Sequence, residues 1–124
     1  MELRLDVTRQ ADVPVVRCEG SIVFGPEVDE LRLTVLSLLK ETCRVVLHLG
    51  DVDRIDSDGL AGIVGLFISA RNRGGDLKLA HLSQRSNHVL RISRLDQVLE
   101  TYDSETDAIA SFPRLRVMAK RQPA

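Results

Sequence analysis

Four consecutive residues could do chemistry: Asp56, Ser57, Asp58 and Gly59, two carboxylates around a hydroxyl. They follow a short apolar run, 45–49, and precede a stretch in which apolar residues recur at helical spacing. Side-chain oxygens at that place can cap the free backbone N–H groups of a new helix, or carry a charge that a partner reads. Spacing alone favours the capping role. Asp56 and Asp58 would repel a bound phosphate unless a divalent cation lay between them.

An enzyme that uses Asp56, Asp58 and His48 is the alternative, because carboxylates and imidazoles transfer protons. Such an enzyme needs a concave pocket where these groups converge, and nothing in their spacing provides one. We interpret His48 as an ordinary strand histidine and expect neither catalysis nor a cofactor. Cys18 and Cys43 lack a second cysteine or a histidine at ligand spacing. We therefore expect no metal site and interpret both cysteines as buried, reduced thiols.

The elements that position these residues begin with a hairpin. Leu3, Leu5 and Val7 alternate with polar residues, which predicts a half-exposed strand. Residues 13–18 predict its antiparallel partner. A helix is predicted over residues 26–41, because proline suits a first helical turn and the acidic residues that follow complement the helix dipole.

A strand–helix–strand unit occupies the centre of the chain. Residues 44–49 predict a buried strand, residues 57–73 a helix and residues 77–80 the next strand. A crossover of this length is right-handed, so the two strands should be parallel. The helix residues that we expect to face the core are Leu60, Ile63, Val64, Phe67 and Ala70.

The last third of the chain predicts a short helix capped by Ser83, a strand over residues 95–102 and a final helix capped by Ser104. Residues 113–124 are basic and weakly patterned, which predicts a flexible tail after a domain formed by residues 1–112. The predicted fold class is α/β, with a mixed β-sheet of about five strands and helices mainly on one face.

Composition limits the partners. The formal net charge is −1, and the aromatic residues are three phenylalanines and one tyrosine. Nucleic-acid binding is not expected, since it needs basic patches and aromatic stacking surfaces. No apolar run is long enough to span a bilayer, and no secretory signal precedes the first strand. We therefore expect a cytoplasmic protein without membrane insertion.

The sequence around the four polar residues resembles the STAS domain family, the fold of bacterial anti-sigma factor antagonists. Residues 55–60, Ile-Asp-Ser-Asp-Gly-Leu, are similar to the family's Asp-Ser-Ser/Thr-Gly-Leu signature. Three further segments, 45–49, 71–77 and 90–98, are similar in the same order. The resemblance extends over residues 3–112 and implies a STAS-like sheet.

The resemblance implies a non-enzymatic regulator of transcription that acts by partner switching. Members of this type dock on an anti-sigma factor that is also a serine kinase, and the kinase phosphorylates the second hydroxyl residue of the signature. Asp58 occupies this phosphoacceptor position here, so the resemblance implies partner binding through Asp56, Ser57, Asp58 and Gly59 without that modification.

Several alternatives stay open. Asp58 could hold the protein in a state like the phosphorylated one, or a co-adapted partner could accommodate it. The resemblance also fits a STAS subunit of a lipid-transport ABC complex or of a stressosome-like assembly. A homodimer is open as well.

Other positions also bear on the family pattern. Ser57 keeps a hydroxyl, but it matches the residue before the phosphoacceptor, so we expect Ser57 or a neighbouring acidic side chain to cap the helix. Val23 stands where an acidic residue is usual, and His48 where aspartate or asparagine is frequent. Arg94 occupies a position suited to positive φ, which predicts a cost of about 1–2 kcal/mol if that backbone persists.

Overall fold

The computed structural model describes residues 2–113, which form one five-stranded sheet and four α-helices. In chain order the elements are β1 (Leu3–Gln10), β2 (Val13–Ile22), α1 (Pro26–Leu39), β3 (Arg44–Ile55), α2 (Ser57–Asn72), β4 (Asp76–Ala80), α3 (Gln84–Ile92), a 3₁₀ turn (Leu95–Gln97), β5 (Thr101–Tyr102) and α4 (Glu105–Ala110). Each helix and strand predicted within these residues is present, in the predicted order.

The sheet has the strand order β1-β2-β3-β4-β5. β1 pairs antiparallel with β2 through a tight turn, in which Ala11 and Asp12 have φ of 51° and 66°. All later pairs are parallel, because a helical crossover separates each strand from the next. The predicted α/β class and the mixed sheet of five strands are confirmed.

Two hydrophobic layers cover the two faces of the sheet. The larger layer lies between the sheet and α1, α2 and α3; among its buried members are Leu31, Leu47, Leu49, Ile63, Leu79 and Leu90. The opposite face is covered by α4 alone among the described residues, and the cluster there consists of Val13, Val15, Val46, Ala80, Ala108 and Phe112. Helices mainly on one face are therefore observed, as predicted.

The buried face of α2 differs from the predicted one. Ile63 is fully buried as expected, but Val64 and Phe67 are only half-buried, and Leu66 takes the place in the core. The helix is rotated because Gly62 lets it approach α1: a Cβ at that position would lie 3.0 Å from Val28 Cγ1. A small residue thus lies toward the neighbouring helix, and larger apolar side chains are turned outward.

Other bounds also differ from the predictions, and β2 continues to Ile22, four residues beyond the predicted 13–18. β3 continues to Ile55, because residues 51–55 stay paired with the end of β2 beyond a bulge. The strand predicted over residues 95–102 is wrong for most of its length, since only Thr101–Tyr102 pair with β4. α1 ends at Leu39, two residues early.

The predicted positive φ at Arg94 is confirmed at 63°. The expected tail, residues 114–124, lies outside the described residues, so its flexibility stays a prediction. Among the helices of residues 2–113, none combines the length and the apolar composition needed to cross a bilayer.

Candidate functional site

Asp56 joins two segments at the end of β3. Its Oδ1 accepts a hydrogen bond from the Gly59 backbone N–H at 2.8 Å, which caps α2, and its Oδ2 accepts one from the Phe24 N–H at 2.9 Å. The N–H groups of Phe24 and then Gly59 lower the pKa of Asp56, because both bonds favour the carboxylate. Of the expected caps, Ser57 or a neighbouring acidic side chain, the acidic Asp56 is the one observed, since Ser57 is already the first helical residue.

The amino terminus of α2 lies directly against the end of β2. The Asp56 N–H donates to the Ile22 carbonyl at 3.4 Å. A Cβ at Gly59 would overlap that same carbonyl oxygen, so only glycine allows this approach. The junction 56–59 is therefore fixed by backbone contacts on one side and by the Asp56 carboxylate on the other.

Ser57 and Asp58 project from this fixed junction and are exposed, as expected for residues that a partner could reach. Asp58 borders a groove of about 400 Å³ between α1 and α2. Ala61 lies in the wall of this groove, while Asp29 and Arg32 of α1 also line it. The groove thus combines small apolar residues with charges of both signs.

Phe24 is the most exposed large apolar residue beside Asp58, with 74% of its surface accessible. Its backbone is tied to Asp56, so the loop that carries the ring has a defined position relative to α2. The sequence patterns that predict the site did not include Phe24. Its signal was present in the sequence, because it is one of only three phenylalanines and directly precedes a Gly-Pro pair.

His48 does not join Asp56 and Asp58. It lines a different cleft, of about 590 Å³, on the α4 side of the sheet, whereas Asp58 lies beside α1. The catalytic grouping of these three residues is therefore not assembled. Over residues 2–113, no group of three or more histidine, cysteine or acidic side chains is placed to hold a metal ion.

The His48 ring packs against the His81 ring, with the centroids 4.6 Å apart and the planes tilted by 38°. Burial and then the nearby His81 lower the pKa of His48, although Glu105 and Asp51 act in the opposite direction. Gly50 makes the pairing sterically possible, since a Cβ there would lie 2.9 Å from His48 Cε1 and from the His81 carbonyl. The interpretation of His48 as an isolated strand histidine is thus incomplete.

Glu105 forms a charged cluster that sequence reasoning missed. It accepts hydrogen bonds from Arg17 Nε at 2.8 Å, Arg17 Nη2 at 2.9 Å and Gln10 Nε2 at 2.7 Å. Arg17 is the main reason why the pKa of Glu105 falls to about 2. Glu105 lies 95 positions after Gln10 and 88 after Arg17, so only the packing of α4 against the hairpin reveals that they meet.

The cysteines are only partly as expected. Both thiols are free, and Cys18 is buried, which raises its pKa to about 12. Cys43 is only half-buried, because it directly precedes the first residue of β3, at the end of the strand. Neither contributes to the junction that carries Asp58.

Comparison with known proteins places this fold in a family. A family model described as the STAS domain matches residues 4–108. The anti-sigma-B factor antagonist of Bacillus subtilis is 31% identical over 101 residues, which cover 81% of this chain and 91% of the relative. A relative from Thermotoga neapolitana is 35% identical over 66 residues, but the match spans only 58% of that protein's length.

A solved structure shows the same fold at low sequence identity. The Bacillus cell fate determinant SpoIIAA in its phosphorylated form has a TM-score of 0.65 and 17% identity. The match covers 88% of this chain and 97% of that one. The five-stranded sheet and its helices are therefore those of this fold.

Proposed function

The chain belongs to the STAS domain family, and we propose that it acts as an anti-sigma factor antagonist. In this proposal it docks on an anti-sigma factor of the serine-kinase type through the junction 56–59. The observation that carries the proposal is Asp58 itself, an exposed carboxylate on a fixed strand-to-helix junction. In this proposal Asp58 takes the position of the family's phosphoacceptor.

The fixed junction supports a docking role. Asp56 and Gly59 hold the segment against β2, so little conformational entropy is lost when a partner binds there. Beside it, Phe24 offers an exposed aromatic ring of the kind that often dominates binding energy at interfaces. Charged side chains at the rim of the groove would set orientation and rate of association.

Asp58 removes control by phosphorylation at this position. A serine there would be neutral in one state and would carry about −1.5 to −2 charges after phosphorylation. Asp58 has a single fixed charge and lacks the hydroxyl that a serine kinase modifies. The amino terminus of α2 favours such a negative charge. In this proposal the protein binds its partner in a single charge state. It acts in the cytoplasm by binding and not by catalysis.

Affinity capture with a matched pair of variants tests the docking site. Tagged native protein, Asp58→Arg and Asp96→Arg are exposed to lysate of the source organism, and retained proteins are identified by mass spectrometry. Asp96 is exposed on the 3₁₀ turn, so its variant has the same charge change at a different place. We expect an anti-sigma factor with a kinase-type domain to be retained by native protein and Asp96→Arg and lost from Asp58→Arg. Equal retention by all three, or no protein of that class, contradicts the proposal.

A further inference from the structure

A second site lies at the opposite end of the sheet from the junction 56–59. There, at the first residues of β3 and β4, a cleft of about 210 Å³ opens between the end of α2 and the end of the described chain. Among the residues that line it are Cys43, Arg44, Arg71, Gly75, Asp76 and Phe112. Two of these carry guanidinium groups, which are the side chains best suited to bind phosphate or carboxylate.

Although Asp76 lines the same cleft and is paired with Arg71, Arg44 forms no ion pair there with a described residue. Its Nε is buried and has no hydrogen-bond partner within residues 2–113. The six ion pairs that the described residues form do not include Arg44 either. Arg44 as a whole is half-buried, but a buried donor without a partner in a native fold calls for an explanation.

Two other cations on the α4 side of the sheet are paired with acidic residues. Lys78, whose side chain is only 5% exposed, is paired with Glu100 at 2.9 Å and also donates to the Ser111 carbonyl at 3.3 Å. Arg17 is paired with Glu105 through two hydrogen bonds. Each of these two cations thus has an acidic partner among the described residues. Arg44 lies on the same side of the sheet and forms no such ion pair within residues 2–113.

Arg71 lies beside the cleft and keeps guanidinium N–H groups available for a ligand. Its guanidinium lies over the Phe67 ring at 5.3 Å, and its Nη1 is 3.6 Å from Asp76 Oδ2, which is longer than a hydrogen bond. The other oxygen of Asp76 accepts the Leu77 N–H at 2.9 Å. Two arginines and one aspartate give the lining a net charge of +1.

The glycine turn after α2 fixes the spacing of the two arginines. Gly74 has φ of 84°, and a Cβ at Gly75 would overlap the Cys43 carbonyl, so the turn lies directly on the residue before Arg44. The N–H groups of Gly74 and Gly75 already donate to the carbonyls of Arg71 and Ala70. A ligand in this cleft must therefore be recognised by side chains rather than by free backbone N–H groups.

We infer that the cleft between Arg44 and Arg71 binds a small anion through a phosphate or carboxylate group. The anion supplies the counter-charge that Arg44 lacks, and both guanidinium groups donate to its oxygens. The volume is below the usual 300–1,000 Å³ of drug-sized pockets, so the site accepts a headgroup with few further atoms. Phe112 and Pro113 provide an apolar wall against which attached carbon atoms can lie.

An NMR titration of the full chain tests this site. Inorganic phosphate and acetate are added separately at constant ionic strength, and backbone amide shifts are followed in the native protein and in Arg44→Gln, Arg71→Gln and Arg91→Gln. Arg91 is exposed on α3 and provides the same charge change away from the cleft. We expect saturable shifts at residues 43–44, 71–76 and 112 with at least one of the two anions.

The variants decide the interpretation. Loss of a charge-assisted hydrogen bond should weaken binding about 10-fold or more in both Arg44→Gln and Arg71→Gln, whereas Arg91→Gln should bind like native protein. If only phosphate saturates the shifts, the ligand carries a phosphate group. If only acetate does so, the ligand carries a carboxylate group. If both do so, the site recognises the negative charge that the two groups share. Shifts that do not saturate, or equal affinity in all four proteins, overturn the inference. Arg71 is exposed, so its variant keeps the test valid if Arg44→Gln fails to fold.

Discussion

At the scale of single residues, Asp56 contributes most to the candidate site, although it is not the residue that a partner is proposed to read. One carboxylate caps α2 and holds the Phe24 loop, so it connects the two segments that border the groove. Asp58, two residues later, forms no side-chain hydrogen bond within residues 2–113 and is free to contact a partner. Structural and recognition roles are thus divided between neighbouring carboxylates.

Removal of this cap should be measurable. Asp56→Ala loses both hydrogen bonds and should lower the free energy of unfolding by about 1 kcal/mol, within the range of 0.5–2 typical of N-caps. Ser57→Ala is the matched control and should change it by less than about 0.5 kcal/mol, because the Ser57 side chain is exposed. Urea denaturation measures both. A larger loss for Ser57→Ala than for Asp56→Ala would show that the capping residue is misassigned.

The His48–His81 pair gives a prediction on pH. Because the pKa of His48 is lowered in the folded protein, its neutral form stabilises the fold above the unfolded value near 6.5. That contribution is lost as pH falls through the lower pKa of the folded state. His81→Gln should raise the pKa of His48 in an NMR titration, whereas His88→Gln on the exposed side of α3 should not. An unchanged pKa in His81→Gln would contradict a direct effect of His81.

The strand-to-helix junction could be predicted from the sequence, but the division of roles among its residues could not. The change from a buried strand to helical spacing at Leu60 located the junction correctly. Which side chain caps the helix depends on where the last strand residue ends, and β3 is six residues longer than predicted. The contact of Asp56 with Phe24 depends on tertiary structure, because 32 positions separate the two residues.

At the scale of elements, α2 and α4 show what periodicity can and cannot predict. Both helices were predicted from capping residues and apolar spacing. The exact rotation of α2 was not, because its sequence is apolar around most of its surface, so spacing does not define a single buried stripe. The close contact at Gly62 selects the face instead.

The rotation of α2 is testable by truncation of neighbouring residues. Leu66 is 1% exposed, so Leu66→Ala should lower the free energy of unfolding by about 2–5 kcal/mol. Phe67→Ala should cost less, because that ring is half-buried and lies partly under Arg71. Chemical denaturation of the two variants gives the comparison. A larger loss of stability for Phe67→Ala than for Leu66→Ala would instead support the buried face of α2 that was predicted from the sequence.

The attachment of α4 to the sheet gives a second prediction on pH. The pKa of Glu105 is lowered from 4.5 to about 2, so its carboxylate stabilises the fold above pH 4.5, and this contribution is lost as pH falls through about 2. Glu105→Gln should be less stable than native protein at neutral pH by on the order of 2–3 kcal/mol. The difference should shrink between about pH 4.5 and 2. A pH-independent difference in denaturation curves would exclude the proposed charge interaction, and Glu30→Gln, exposed on α1, is the control.

At the scale of the whole molecule, the order of elements and the family were predictable from the sequence, whereas contacts between distant segments were not. The Arg17–Glu105 pair, the His48–His81 contact and the cleft at Arg44 each join residues that only the sheet brings together. Their individual residue types carry no signal of this. The molecule therefore has its proposed docking surface at one end of the sheet and its proposed anion cleft at the other.

We propose that partner binding through the junction does not depend on phosphorylation. Native protein and Asp58→Ser are incubated with the anti-sigma kinase partner and ATP, phosphate is mapped by mass spectrometry, and binding to that partner is measured in parallel. The account predicts no phosphate on residue 57 or 58 of the native protein and unchanged binding after ATP is added. Asp58→Ser should gain phosphate at residue 58. Stoichiometric phosphate on Ser57 of the native protein, together with loss of partner binding, would contradict the account, because the switch would then have moved by one residue.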